Sequence, residues 1–192
     1  MVATRSSMLA LGGSAAHFEL ADVSNNNELV SLADFKDRPL LIMFICNHCP
    51  FVVHLLPTLA TLANSAKVNG IGVVAISSND AQAYPQDGPQ AMNEFAQHHA
   101  FAFPYLYDQS QSVAKAYQAA CTPDFYLFDK SHILVYRGQM DGARPGNGVA
   151  VSGEALQSAI EAVLCNQHVS QEQLPSVGCS IKWLSNQAPN YL

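Results

Sequence analysis

Residues 39–46, PLLIMFIC, run without a charged or hydrogen-bonding side chain. The length suits a strand, and the lack of apolar–polar alternation requires that strand to be buried on both faces. Such a strand needs cover on each side, which points to a layered α/β sheet rather than a half-exposed hairpin. Just past it the period changes. Val52, Leu55, Leu56, Leu59 and Leu62 recur at helical spacing, so a helix begins directly after residue 49, with Pro57 expected to kink it.

The remaining pattern fills in such a sheet. HFEL and ELVSL flank a turn at Asn25 to Asn27 and read as an N-terminal hairpin. GIGVVAISS (70–78) is a second buried strand, NDAQAYPQDGPQ a loop, and Gln90 to His99 a helix. FAFPYLYD gives a short strand whose alternating Phe101, Phe103, Tyr105 and Tyr107 serve packing, followed by a helix from Gln111 to Ala119. DFYLFDKSHILVYRG reads as an antiparallel hairpin turning at Asp129 to Ser131, and Gly153 to Leu164 as a last amphipathic helix. From Asn166 no period is evident, so 166–192 is expected to be an extended tail on a single domain spanning 1–192. The order predicts a parallel core with antiparallel strands appended.

Composition limits what such a domain can bind. An apolar content of 49% with 12% charged residues belongs to an ordered globular chain. A formal charge of -6 without any Lys/Arg cluster argues against nucleic acid as a partner. The longest apolar runs fall short of a bilayer's thickness, so no membrane partner is expected. The first twenty residues lack the apolar core of a secretory signal, and a cytoplasmic location is expected. Five cysteines, odd in number and unevenly spaced, do not resemble a secreted disulfide framework.

Two of those cysteines, Cys46 and Cys49, lie where the first buried strand hands over to its helix. Unpaired N–H groups and the helix dipole at that place favour negative charge, which lowers a thiol pKa and makes the reactive thiolate. The expectation is that Cys46 holds the low pKa and attacks, while Cys49 resolves the mixed disulfide. Pro50 suits the first helical turn, and His48, inside the pair, is expected to supply a positive charge that tunes the Cys46 thiolate. Thr122 and Pro123 precede another apolar strand, where a cis peptide would leave the Thr122 backbone free to pair with an extended partner chain. Asp124 and Asp141 are candidate proton-transfer partners. Cys165, ending a helix, reads as a small buried side chain without a function.

FICNHCPFV, VVAISSND, FPYLYDQSQSVAKAY, CTPDFYLF, LVYRGQMDGARPGNG and PSVGCSIKW together resemble the peroxiredoxin-like (AhpC/TSA-type) proteins of the thioredoxin-like superfamily. The resemblance covers nearly the whole chain. It implies a thioredoxin-like fold, with a mixed central sheet flanked by helices, an N-terminal hairpin and a C-terminal tail. It also implies a thiol–disulfide oxidoreductase or antioxidant role in cell redox homeostasis.

The leading expectation is therefore a thiol–disulfide oxidoreductase acting on protein or small-molecule disulfides and thiols. Neither an organic cofactor nor a metal is needed, because the cysteines carry the electrons themselves. The alternative is a peroxidase, with Cys49 as the peroxide-attacking thiol and Arg137 or Arg144 as its cation. In that family pattern a threonine stands where this chain has Cys46. A third expectation is a non-catalytic metal-binding or adaptor module, its ligands drawn from Cys46, His48, Cys49 and His54. Cys121 and Cys179 are auxiliary-thiol candidates, the tail bringing Cys179 either to Cys121 or to the active pair.

Overall fold

The computed structural model describes residues 3–191. In chain order its elements are β1 (Ala3–Arg5), β2 (Glu19–Asp22), β3 (Glu28–Ser31), β4 (Leu40–Phe44), α1 (Pro50–Val68), β5 (Gly72–Ser77) and α2 (Pro89–His98). There follow β6 (Tyr105–Tyr107), α3 (Ser112–Ala116), β7 (Cys121–Thr122), β8 (Asp124–Phe128), β9 (Leu134–Gly138), α4 (Glu154–Leu164) and β10 (Val177–Ser180). Short 3-10 turns sit at Leu32–Phe35 and Pro85–Asp87.

Seven strands form the main sheet in the order β3-β2-β6-β5-β4-β8-β9. β4, β5 and β6 are parallel, and the outer pairings are antiparallel, as the strand pattern predicts. β4 is central, and every one of its residues is fully buried. Its alternation divides the core. Leu41 and Met43 face a layer with Val52, Leu55 and Leu59 of α1, Met92 of α2 and Leu156 of α4. Leu40, Ile42 and Phe44 face the other layer, closed by Val113 and Ala114 of α3, Tyr117, Phe18 and Ile181. Burying one such large side chain contributes roughly 1.5–3 kcal/mol, so this central strand anchors both layers.

Several expected boundaries shift. β4 ends at Phe44, and α1 begins at Pro50 with Cys49 as its N-cap, so Cys46 lies in the connecting loop and Cys49 just outside the helix. α1 continues unbroken through Pro57. It is also long and apolar enough to cross a membrane, contrary to the expectation from apolar runs, but Val52, Leu55, Leu56, Leu59 and Ala63 are packed in the core. Only residues 105–107 of the aromatic stretch are strand; Phe101 and Phe103 pack from the preceding loop. The third helix covers five residues rather than the expected nine, because Gln111 turns left-handed and Tyr117 caps the other end. The tail is not merely extended. β10 inserts between β1 and β7 in a three-stranded antiparallel sheet, and Ile181 and Trp183 dock it on the second core layer.

Candidate active site

Three segments converge where β4 gives way to α1: the 45–49 loop, the β7–β8 junction, and β10. The Thr122–Pro123 peptide is cis. Cys46 Sγ lies 3.4 Å from Thr122 Oγ1, and Cys49 Sγ lies 3.1 Å from the Thr122 carbonyl oxygen. Both thiols are almost wholly buried, at 1% and 0% exposure, so neither stands at an exposed lip.

Of the two thiols, Cys49 is the more acidic. Cys46 donates to Cys49, which is the largest cause of a Cys49 pKa lowered to about 5. Burial opposes that shift, but S–H donation from Cys179, the Val52 N–H of the first helical turn and the Thr122 hydroxyl support it. The Val52 contact stops short of a full side-chain cap, and the Thr122 carbonyl accepts only from the protonated thiol. The same hydrogen bond, followed by burial and the Asp87 charge, pushes Cys46 well up. This corrects the sequence expectation, since the low-pKa thiol is Cys49. The helix start serves its own N-cap residue, and Cys46 precedes that cap by three residues.

His48 takes a different place from the expected tuner. Its Nδ1 meets Asp87 Oδ2 at 2.5 Å, and its ring stacks parallel on Tyr84 with centroids 5.6 Å apart. The larger of the charges acting on Cys46 is that of Asp87, and it opposes the thiolate. Asp87 is fully buried and also accepts from the Asn47 N–H, the His48 N–H and Asn79 Nδ2. Asn47 is further held by Tyr105 Oη and by the Gln86 carbonyl. Asp87, Asn79, Tyr84 and Tyr105 therefore build the loop that carries Cys46 and His48. None was singled out from sequence as part of the site. The only hint is the turn-rich PQDGP around Asp87, which does not say what the carboxylate faces.

Cys46, His48 and Asp87 also present ligand-type atoms within 4.8 Å of one another, the one such group among the described residues. An ion bound to both a histidine nitrogen and a carboxylate oxygen at about 2 Å would hold those two atoms about 3 Å apart or more. The direct 2.5 Å contact leaves no room for one, so the set does not fit a metal as it stands. His54 is not in this group.

The auxiliary thiols separate. Cys179 reaches the pair: it hydrogen-bonds Cys49 and packs in the same core layer as Cys46 and Cys49. Cys121 is buried, and its Sγ lies 3.9 Å from the Pro123 carbonyl. Cys165 is exposed at the end of α4, not buried as expected. The Thr122 edge is not free either, since β10 pairs along it with Cys179 opposite Thr122. Arg137 is committed to the Leu9 carbonyl and Gln173, and Arg144 to the Asp141 and Ala143 carbonyls and Gln139. Asp141 accepts from Ala143, Ser152 and Gly153 N–H groups, a structural role ahead of α4. A cleft of about 850 Å³, lined by residues including Leu11, Arg38, Asn69, Asp129 and Gln167, includes none of the thiols.

Comparison with known proteins agrees with this architecture. An uncharacterized conserved protein of Geobacillus kaustophilus superposes with a TM-score of 0.93 at 50% identity, covering 96% of this chain and 98% of that one. A hypothetical protein of Sinorhizobium meliloti gives 0.92 at 49% identity, covering 95% and 99%. The thioredoxin domain of a Bacteroides vulgatus thiol-disulfide oxidoreductase shares the fold, with a TM-score of 0.57 at 20% identity over 68% of this chain and 89% of that one. No curated protein matches. The AhpC/TSA family profile matches residues 11–137, which hold the central sheet and the Cys46–Cys49 pair. On that match the chain is a member of the AhpC/TSA family, built on a thioredoxin-like fold.

Proposed function

We propose that this protein is a thiol–disulfide oxidoreductase whose Cys46 and Cys49 cycle between dithiol and disulfide. The convergence of both thiols on Thr122, beside the start of α1, carries this reading, because it brings an attacking and a resolving thiol to one place. The Cys49 thiolate attacks a disulfide sulfur of the partner, the partner S–S bond breaks, and one partner sulfur leaves as a thiolate that takes its proton from solvent. Cys46 then attacks Cys49 Sγ, the mixed disulfide breaks, and the Cys46 proton goes to the second leaving thiolate. Loss of the Cys49 charge removes the hydrogen bond that holds Cys46 protonated, so the second step is eased by the first. Burial of both thiols favours small disulfides over bulky protein ones, and the uneven set of five cysteines suits a reducing cytoplasm.

A peroxidase reading draws on the same low-pKa thiol at a helix start, the form that attacks peroxide. The commitment of Arg137 and Arg144 to other partners weighs against it. Reduction of glutathione disulfide and of insulin, compared with peroxide consumption, separates the two. Disulfide reduction lost in Cys49→Ser, with a Cys46–Cys49 disulfide forming in wild type, supports the oxidoreductase. Fast peroxide turnover that survives Cys46→Ser would overturn it.

A further inference from the structure

Three thiols, not two, meet at Thr122. Cys46 touches its hydroxyl, Cys49 touches its carbonyl, and Cys179 is its register partner across the β7–β10 pairing. Cys179 also donates its S–H to Cys49, and all three pack in one core layer. The chain itself builds this approach. Gly178 lies so close to β7 that a Cβ there would meet the Thr122 carbonyl oxygen at 1.9 Å. β10 thus occupies the strand edge beside the pair, where a bound extended peptide would lie, and presents a cysteine to it.

We propose that Cys179 is a third redox thiol, which exchanges with the Cys46–Cys49 disulfide and moves it to Cys49–Cys179. The inference rests on the reading of that pair given above. In the step, the Cys179 thiolate attacks Cys49 Sγ, the Cys49–Cys179 bond forms, and the Cys46–Cys49 bond breaks. Cys46 leaves as a thiolate and takes up the proton Cys179 released, so no electrons enter or leave. The reduced state guards Cys179 against ionisation: burial first, then its hydrogen bond to Cys49 and the Cys49 charge, push it up to about 12. Oxidation of Cys49 removes the last two of these, so Cys179 becomes easier to ionise once there is a disulfide to attack. Cys121 is set apart from the three, its Sγ contacting the Pro123 carbonyl and its register partner across β7–β10 being Ser180.

The test uses the full chain treated with glutathione disulfide, quenched in acid and mapped by mass spectrometry. In Cys46→Ser, the glutathione adduct on Cys49 should be resolved by Cys179, giving an intramolecular Cys49–Cys179 disulfide. In the Cys46→Ser/Cys179→Ser double variant the adduct should persist at least about tenfold longer. Cys46→Ser/Cys121→Ser should behave as Cys46→Ser does. Matching circular dichroism and melting curves verify folding, and Cys179→Ala replaces Cys179→Ser if serine disrupts β10. Wild type forming Cys46–Cys49 while Cys46→Ser accumulates adduct as stably as the double variant would overturn the third-thiol inference alone. Wild type forming neither a Cys46–Cys49 nor a Cys49–Cys179 disulfide would overturn the underlying reading as well.

Discussion

Cys49 owes its charge chiefly to one neighbour, and that makes a residue-level test available. Removing the Cys46 S–H takes away the largest cause of the lowered pKa while leaving burial, which opposes it. Thiolate absorbance followed against pH should show a midpoint near 5 in wild type, and in Cys46→Ala a rise toward the free-thiol value of about 8.5. Asp87 gives a second test. Asp87→Ala leaves two backbone N–H groups and the Asn79 amide without their acceptor in a buried place. A cost of about 2–4 kcal/mol in denaturant unfolding is expected. Asp87→Asn should also lower the Cys46 pKa, because the carboxylate charge raises it. The pair itself was legible in the sequence because a strand end and a helix start bracket it. The distribution of charge between the two sulfurs was not. It depends on whether the helix begins before or after Cys49, a shift of one residue, and on Asp87, which is forty-one positions from Cys46 along the chain.

At the scale of elements, the central strands and α1 follow from hydrophobic period alone, because their burial is dictated by the residues they contain. β10 could not be read that way. Its four residues include a glycine and a serine, and it is a strand only because β1 and β7 lie on either side to pair with it. β1 is hidden for the same reason, with three residues and no apolar alternation. Gly178 is where this pairing is most easily disturbed, since its neighbour is a carbonyl rather than a flexible side chain. Gly178→Ala should therefore destabilise the fold by about 1–3 kcal/mol, read from the denaturant midpoint. It should also loosen Cys179 from Cys49. Unchanged stability would mean that β10 sits less tightly on Thr122 than the geometry indicates.

At the scale of the whole molecule, the buried carboxylate of Asp124 ties stability to pH. Asp124 pairs with Phe44 across β8 and β4, and burial pushes its pKa up to about 7, against hydrogen bonds from Tyr126 and the Phe125 N–H. Below about pH 4 the group is protonated in folded and unfolded chains alike. As pH rises to 7 the unfolded chain releases the proton first, so this contribution to stability is lost across that window and is constant above it. The stability of Asp124→Asn relative to wild type should therefore grow from pH 4 to 7, by about 3–5 kcal/mol, and then level off. A flat difference would show that Asp124 is not held protonated. Above that stability rests the central claim, that Cys46 and Cys49 form a reversible couple. Equilibrium titration of the full chain in defined thiol–disulfide buffers, with the cysteine pairing mapped at each potential, tests it most directly. A single two-electron transition is predicted, joining Cys49 within one chain to Cys46, with a Cys49–Cys179 form in exchange with it. Cys49 remaining unlinked to both Cys46 and Cys179 across the whole range of potentials would contradict it.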